Sequence, residues 1–165
     1  LNPDVVIMDL SMPGIGGLET IRRILMRYKK AKILVLSMHE DLSFLNQALK
    51  LGAKGYLIKN TLGDDLIESL HSISRGEIFL SNEITKKIAV SSVDPDQNLI
   101  NELSAREFEI FRLLAEGLEV DLIAMKLNIS PKTVSNYQTM IKQKLNINSS
   151  IELIRYAIKK GVIKN

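Results

Sequence analysis

Three short apolar runs, VVIMD (5–9), ILVLS (33–37) and GYLIK (55–59), alternate with stretches whose apolar residues recur every three to four positions. The runs predict strands. The stretches between predict helices, with stripes at Leu18, Ile21, Leu25 and Tyr28, at Leu45, Ala48 and Leu49, and at Leu66, Leu70 and Ile73. Alternating strand and helix implies an α/β fold with a parallel sheet, whose working groups gather at the carboxyl ends of its strands.

This pattern stops near Gly76, a predicted helix C′ residue. A short amphipathic stretch follows over 82–90, with Ile84, Ile88 and Ala89 on one side. The polar, Pro-containing SSVDPDQNLIN (91–101) is the predicted linker, which divides the chain into 1–90, a linker 91–102 and 103–165.

From Leu103 the pattern is helical. Ser104 and Glu107 form a capping box for a helix over 104–116, which Gly117 ends. Val120, Ile123, Ala124 and Leu127 share a face of a second helix, 120–127. The four-residue turn Leu127–Ser130 leads to a third, where Ser130 is the N-cap and Pro131 the first helical residue. That helix runs to about Leu145, and a last one covers about 149–160, ending near Gly161.

Two short helices across a tight turn suggest a helix-turn-helix, whose second helix enters the DNA major groove. A small all-α bundle with a polar surface helix fits the periodicity equally well. On helix 131–145, Val134, Tyr137, Ile141 and Leu145 should pack inward. Lys132, Ser135, Asn136, Thr139, Lys142 and Gln143 are then outward. Asn and Ser suit base edges, while Lys132, Lys142 and Lys144 suit phosphates.

Charge sharpens this division. The net charge of +3 comes entirely from residues 101–165, with 10 basic and 7 acidic side chains, because residues 1–100 hold 12 of each. From Pro131 onward there are 7 basic residues and one acid, Glu152. Such a segment suggests a nucleic-acid footprint, though a solvated Lys-rich face would have the same composition. No apolar run approaches the roughly 18 residues of a membrane span, and no signal-peptide pattern opens the sequence, so no membrane partner and a cytoplasmic location are expected. The absence of cysteine excludes disulfides and thiolate metal sites. His39 and His71 are isolated and are expected to be structural or solvated.

The three strands end in Asp9, Ser37 and Lys59. A carboxylate, a hydroxyl and an ammonium at one sheet edge suit phosphorylation of the carboxylate. The Asp would be the nucleophile, the Ser a hydrogen-bond donor to the phosphoryl group, and the Lys its counter-charge. An Asp9 hydrolase is the weaker reading, since no general-base histidine or second catalytic carboxylate is paired with it.

With Asp9 in MDLSMPGIGGLE, Ser37 in LVLSMHED, Lys59 in GAKGYLIK, and spacings of 28 and 22 residues, the first part resembles the receiver domain of bacterial response regulators. The resemblance implies a flavodoxin-like fold and a sensor histidine kinase that phosphorylates Asp9. It further implies a switch pair of Ser37 and Tyr56, a phosphate contact from Lys59, and Mg²⁺ as cofactor. The segment LSAREFEIFRLLAEGLEVDLIAMKLNISPKTVSNYQTMIKQKL resembles the LuxR-type helix-turn-helix of the NarL/FixJ family, closest in likeness to global activators of the GacA/UvrY kind. By that likeness the DNA-facing set is Lys132, Thr133, Ser135, Asn136, Thr139, Lys142 and Lys144. Ser135 and Thr139 stand where other branches carry lysines, so fewer phosphate contacts and a different base preference are expected.

The family implies a transcription factor, not an enzyme, with double-stranded DNA as partner, a homodimer as the active form, and RNA polymerase as a further partner. A whole receiver of this type has five strands, and its first ends in an acidic pair that holds Mg²⁺. Two βα units, about 45 residues, are expected to be missing before Leu1. Of the metal ligands, Asp9 and the main-chain carbonyl of Ser11 remain, so poor phosphorylation of this polypeptide is expected. A fragment of a longer protein, a truncated phosphorylation-independent DNA-binding protein, or a degenerate receiver with another role would account for the gap, and a module that sequesters partners without binding DNA is the competing function.

Overall fold

The computed structural model describes residues 3–12, 15–38, 42–59, 63–91 and 97–163. Two compact units emerge, one mainly of residues 1–94 and one mainly of residues 95–165.

In the first unit four parallel strands lie in the order β1 (Val6–Asp9), β2 (Ile33–Ser37), β3 (Gly55–Ile58) and β4 (Phe79–Leu80). The helices α1 (Gly17–Arg27), α2 (Leu42–Leu51) and α3 (Asp64–Ser74) follow the first three strands, and α4 (Asn82–Ser91) follows β4. Strand alternation puts Leu34, Leu36 and Leu57 on one face. There Leu34, Leu57 and Ile73 of α3 form a fully buried cluster, with Leu66, Leu70 and Phe79 packed around it. Ile33, Val35 and Tyr56 point to the opposite face and are equally buried.

Two expectations change here. Strand β4 was not anticipated, because two residues are too few to show a period and only pairing with Gly55 and Tyr56 defines them. Tyr28, expected on the inner stripe of α1, lies past its last residue and is 59% exposed, with the Arg27 guanidinium 5.7 Å above its ring. Gly76, with φ +90°, follows α3 as expected.

The second unit is helical: α5 (Gln97–Asn101), α6 (Ala105–Ala115), α7 (Val120–Leu127), α8 (Pro131–Lys144) and α9 (Ser150–Lys159). α5 falls inside the stretch read as linker, since NLI places Ile100 in a buried position. Residues 92–96 of that stretch lie outside the described residues. α6 is central, in contact with α7, α8 and α9. Its Phe108 and Phe111 are fully buried, and Phe111 meets Tyr156 of α9 edge-on at 6.2 Å.

Local chemistry sets the helix ends. The Ser104 hydroxyl accepts from the Glu107 N–H, and the Glu107 carboxylate accepts from the Ser104 N–H at 2.7 Å, completing the predicted capping box. Ser104→Ala removes one half of it and should destabilise the second unit by about 1 kcal/mol, measurable as a shift of its denaturant midpoint. Asn128 ends α7 at φ 52°, a left-handed conformation that asparagine tolerates better than most residues. That reversal leads the chain into the Ser130 cap and Pro131 of α8.

Candidate phosphoacceptor site and nucleic-acid interface

Asp9 closes β1 at the carboxyl edge of the sheet, in register with Leu36. One carboxylate oxygen accepts the Ser11 N–H at 2.8 Å, and the other lies 2.5 Å from the Lys59 ammonium. Lys59 directly follows β3. Both side chains are about one-third exposed, 33% for Asp9 and 31% for Lys59, so the pair is open to a small donor from solvent. Gly17 allows α1 to start against this loop. A Cβ there would stand 2.6 Å from the Leu10 Cα and 2.7 Å from the Asp9 carbonyl oxygen.

Ser37 closes β2 and is fully buried, as is Tyr56. Ser37 is in register with Ile58, and Val35 with Tyr56, so Ser37 and Tyr56 share a sheet face two rows apart. Asp9 and Lys59 thus meet directly, while Ser37 and Tyr56 form a second, buried set. His71 is exposed on α3, and His39 lies outside the described residues.

Magnesium prefers near-octahedral oxygen ligation with one or two carboxylates, waters and phosphoryl oxygens. The expected ligands, Asp9 and the carbonyl of Ser11, offer one carboxylate, whose two oxygens already bind Ser11 and Lys59. Among the described residues no group of three His, Cys, Asp or Glu side chains could hold a metal. These residues do not fit the ion by themselves.

In the second unit α8 is anchored by Val134 and Ile141, both fully buried, by Leu145 just past its end, and by half-buried Tyr137. The opposite side exposes Lys132, Ser135, Asn136, Thr139 and Gln143, with Lys142 half-buried, which is the helix phase read from the sequence. The Ser130 hydroxyl accepts from the Thr133 N–H at 3.1 Å and lies 2.8 Å from the Thr133 hydroxyl, so Thr133 is held at the cap. Ser135 and Thr139 donate their hydroxyl hydrogens to the carbonyls of Pro131 and Ser135, each at 3.1 Å. In this arrangement they can accept a hydrogen bond but cannot donate one to a phosphate.

Lys144 departs from expectation. Its ammonium donates to Glu107 at 2.8 Å, on a carboxylate only 3% exposed. Burial pushes the Glu107 carboxyl up, but Lys144 and the Ser104 backbone and hydroxyl outweigh it and hold the group below its ordinary value. Lys144 therefore serves an internal ion pair in this structure, with its side chain 37% exposed. Two residues were not anticipated. Asn146, at φ 55°, and Asn148 line a concavity of about 400 Å³ with Thr139, Lys142, Gln143 and Ile147. Their only sequence signal was a polar, Asn-rich stretch after α8.

Comparisons place both halves. The family described as "Response regulator receiver domain" matches residues 1–71, and "Bacterial regulatory proteins, luxR family" matches residues 101–157. The chain is 35% identical over 161 residues to the response regulator UvrY of Escherichia coli K12, covering 96% of this chain and 74% of UvrY. It is 40% identical over 169 residues to the oxygen regulatory protein NreC of Staphylococcus carnosus, covering 98% of this chain and 78% of NreC. Among solved structures, RcsB of Salmonella enterica serovar Typhimurium, bound to promoter P1flhDC in the presence of phosphomimetic BeF3-, superimposes with a TM-score of 0.67. It shares 33% identity over 94% of this chain and 75% of RcsB.

Proposed function

This chain belongs to the response regulators that join a receiver domain to a luxR-family DNA-binding domain, and we propose that within it Asp9 is the phosphoacceptor and α8 the helix that reads DNA. The receiver is assigned to 1–90, the linker to 91–102 and the DNA-binding domain to 103–165. A sensor histidine kinase is the phosphodonor. An Asp9 carboxylate oxygen attacks the phosphorus of a phosphohistidine, the P–N bond breaks, and the imidazole leaves with the bonding pair. The acyl phosphate carries up to two negative charges where the carboxylate carried one. Lys59, already 2.5 Å from Asp9, turns to the phosphoryl oxygens. Ser37 donates its hydroxyl to the same group, and Tyr56 on the same sheet face follows.

The cytoplasm, where kinase and DNA meet, is the assigned location, and among the described residues no helix is long and apolar enough to cross a membrane. The active form is a homodimer on double-stranded DNA, with RNA polymerase as a further partner.

The observation that carries the DNA reading is the solvent face of α8. There Lys132, Asn136 and Lys142 have no side-chain partner among the described residues, on a capped helix anchored by Val134 and Ile141. Lys132, in the first turn after the N-cap, suits a phosphate. Lys132→Ala should weaken binding to all duplexes alike and reduce the slope of log K against log salt by roughly one unit. A sequence-dependent loss with an unchanged slope would move Lys132 from phosphate to base.

A further inference from the structure

The first turn of α6 reaches both helices of the helix-turn-helix through two consecutive residues. Arg106 donates from one guanidinium nitrogen to the carbonyl of Leu127, the last residue of α7, at 2.9 Å. Its other terminal nitrogen is buried and has no partner among the described residues, so the guanidinium is committed to this one carbonyl. Glu107 takes the Lys144 ammonium from the last residue of α8 at 2.8 Å, while the same oxygen accepts the Ser104 N–H at 2.7 Å. α7 is thus held where it enters the turn, and α8 at the end away from its cap. A rigid helix pinned at its far end and capped at its near end has little freedom to roll in a groove.

We infer that Arg106 and Glu107 are positioning residues for DNA reading, and that Lys144 is the strut through which Glu107 sets the angle of α8. This rests on the DNA reading proposed above and deepens it. The strut fixes how Asn136 and its neighbours present to base edges and makes no contact with the nucleic acid. Glu107 suits the task because one carboxylate oxygen serves both the α6 cap and the α8 strut, which ties the two helix ends to the same atom. The Lys144 stem, more than half covered, contributes packing that an apolar replacement of equal length would keep.

The test uses residues 1–165 with two probes, the duplex that the wild-type chain selects from a random pool and a duplex of random sequence. Lys144→Met keeps the stem and removes the charge. Glu107→Gln keeps an acceptor for the Ser104 N–H, because glutamine also serves in capping boxes. Each variant should lower the selected-to-random affinity ratio by about three- to tenfold, within the range for coupling inside one hydrogen-bond network. The double variant should lose no more than either single one. Salt slopes should match the wild type, and Arg106→Met should lower the same ratio at an unchanged slope. A slope reduced by roughly one unit in Lys144→Met alone would make Lys144 a phosphate contact and overturn the inference. Equal losses on both duplexes, or additive effects in the double variant, would also overturn it. Failure of the wild type to bind either duplex would overturn the DNA reading itself, and the strut with it.

Discussion

Asp9→Asn, in the protein expressed from its own gene, is expected to reduce acid-labile phosphoryl incorporation to background when a sensor histidine kinase or acetyl phosphate is the donor. The carboxamide is close in shape to the carboxylate and keeps one acceptor oxygen, enough for either the Ser11 N–H or the Lys59 ammonium, which the native side chain holds on separate oxygens. It is not a nucleophile, and no acyl phosphate can form on it. The fold should survive, because a pair about one-third exposed contributes little to stability in water. Lys59→Ala provides the complement, retaining the acceptor while uncoupling phosphorylation from DNA affinity. Undiminished hydroxylamine-sensitive labelling of the Asp9→Asn protein would place the phosphoacceptor elsewhere.

Asn136→Ala is expected to cost about 1–3 kcal/mol on the selected duplex and almost nothing on random sequence. Asn136 is exposed one turn into α8, on the side opposite buried Val134 and Ile141, and its amide can both donate and accept, as an adenine edge requires. Ser135 and Thr139 flank it but spend their hydroxyl hydrogens on the helix backbone, so of these three Asn136 is the one with both donor and acceptor available. Val134→Ala is the control. That side chain is fully buried, so its loss should lower stability by about 1–3 kcal/mol and reduce binding only as far as the folded fraction falls. A fall in melting temperature for Asn136→Ala with site preference intact would mean that another face of α8 meets the groove.

Features legible in the sequence were those written in local chemistry. The Ser130–Pro131 start of α8, the Ser104–Glu107 box and the bounds of α7 depend on residues within four positions of one another. The strands were legible because each is a short apolar run ending in a polar residue. Features that depend on distant partners were not. β4 exists only through its pairing with β3. The ion pair of Lys144 was hidden because its partner lies 37 residues earlier on another helix. Tyr28 continued the helical period past the point where α1 stops, and the turn toward β2 carries it into solvent. Asp9 and Lys59 were legible as a site because a parallel sheet brings strand ends to one edge whatever their separation in the chain. The burial of Ser37 and Tyr56 beneath that edge was not, since it depends on the helices that cover the sheet.

On this reading α8 binds the DNA major groove. Fluorescence anisotropy of a labelled duplex titrated with residues 1–165 over a range of KCl concentrations tests it most directly. Submicromolar binding at low salt, with log K falling linearly against log salt as several phosphate contacts require, is the predicted result. No salt-sensitive binding at submicromolar protein, on selected or random duplex, would contradict it.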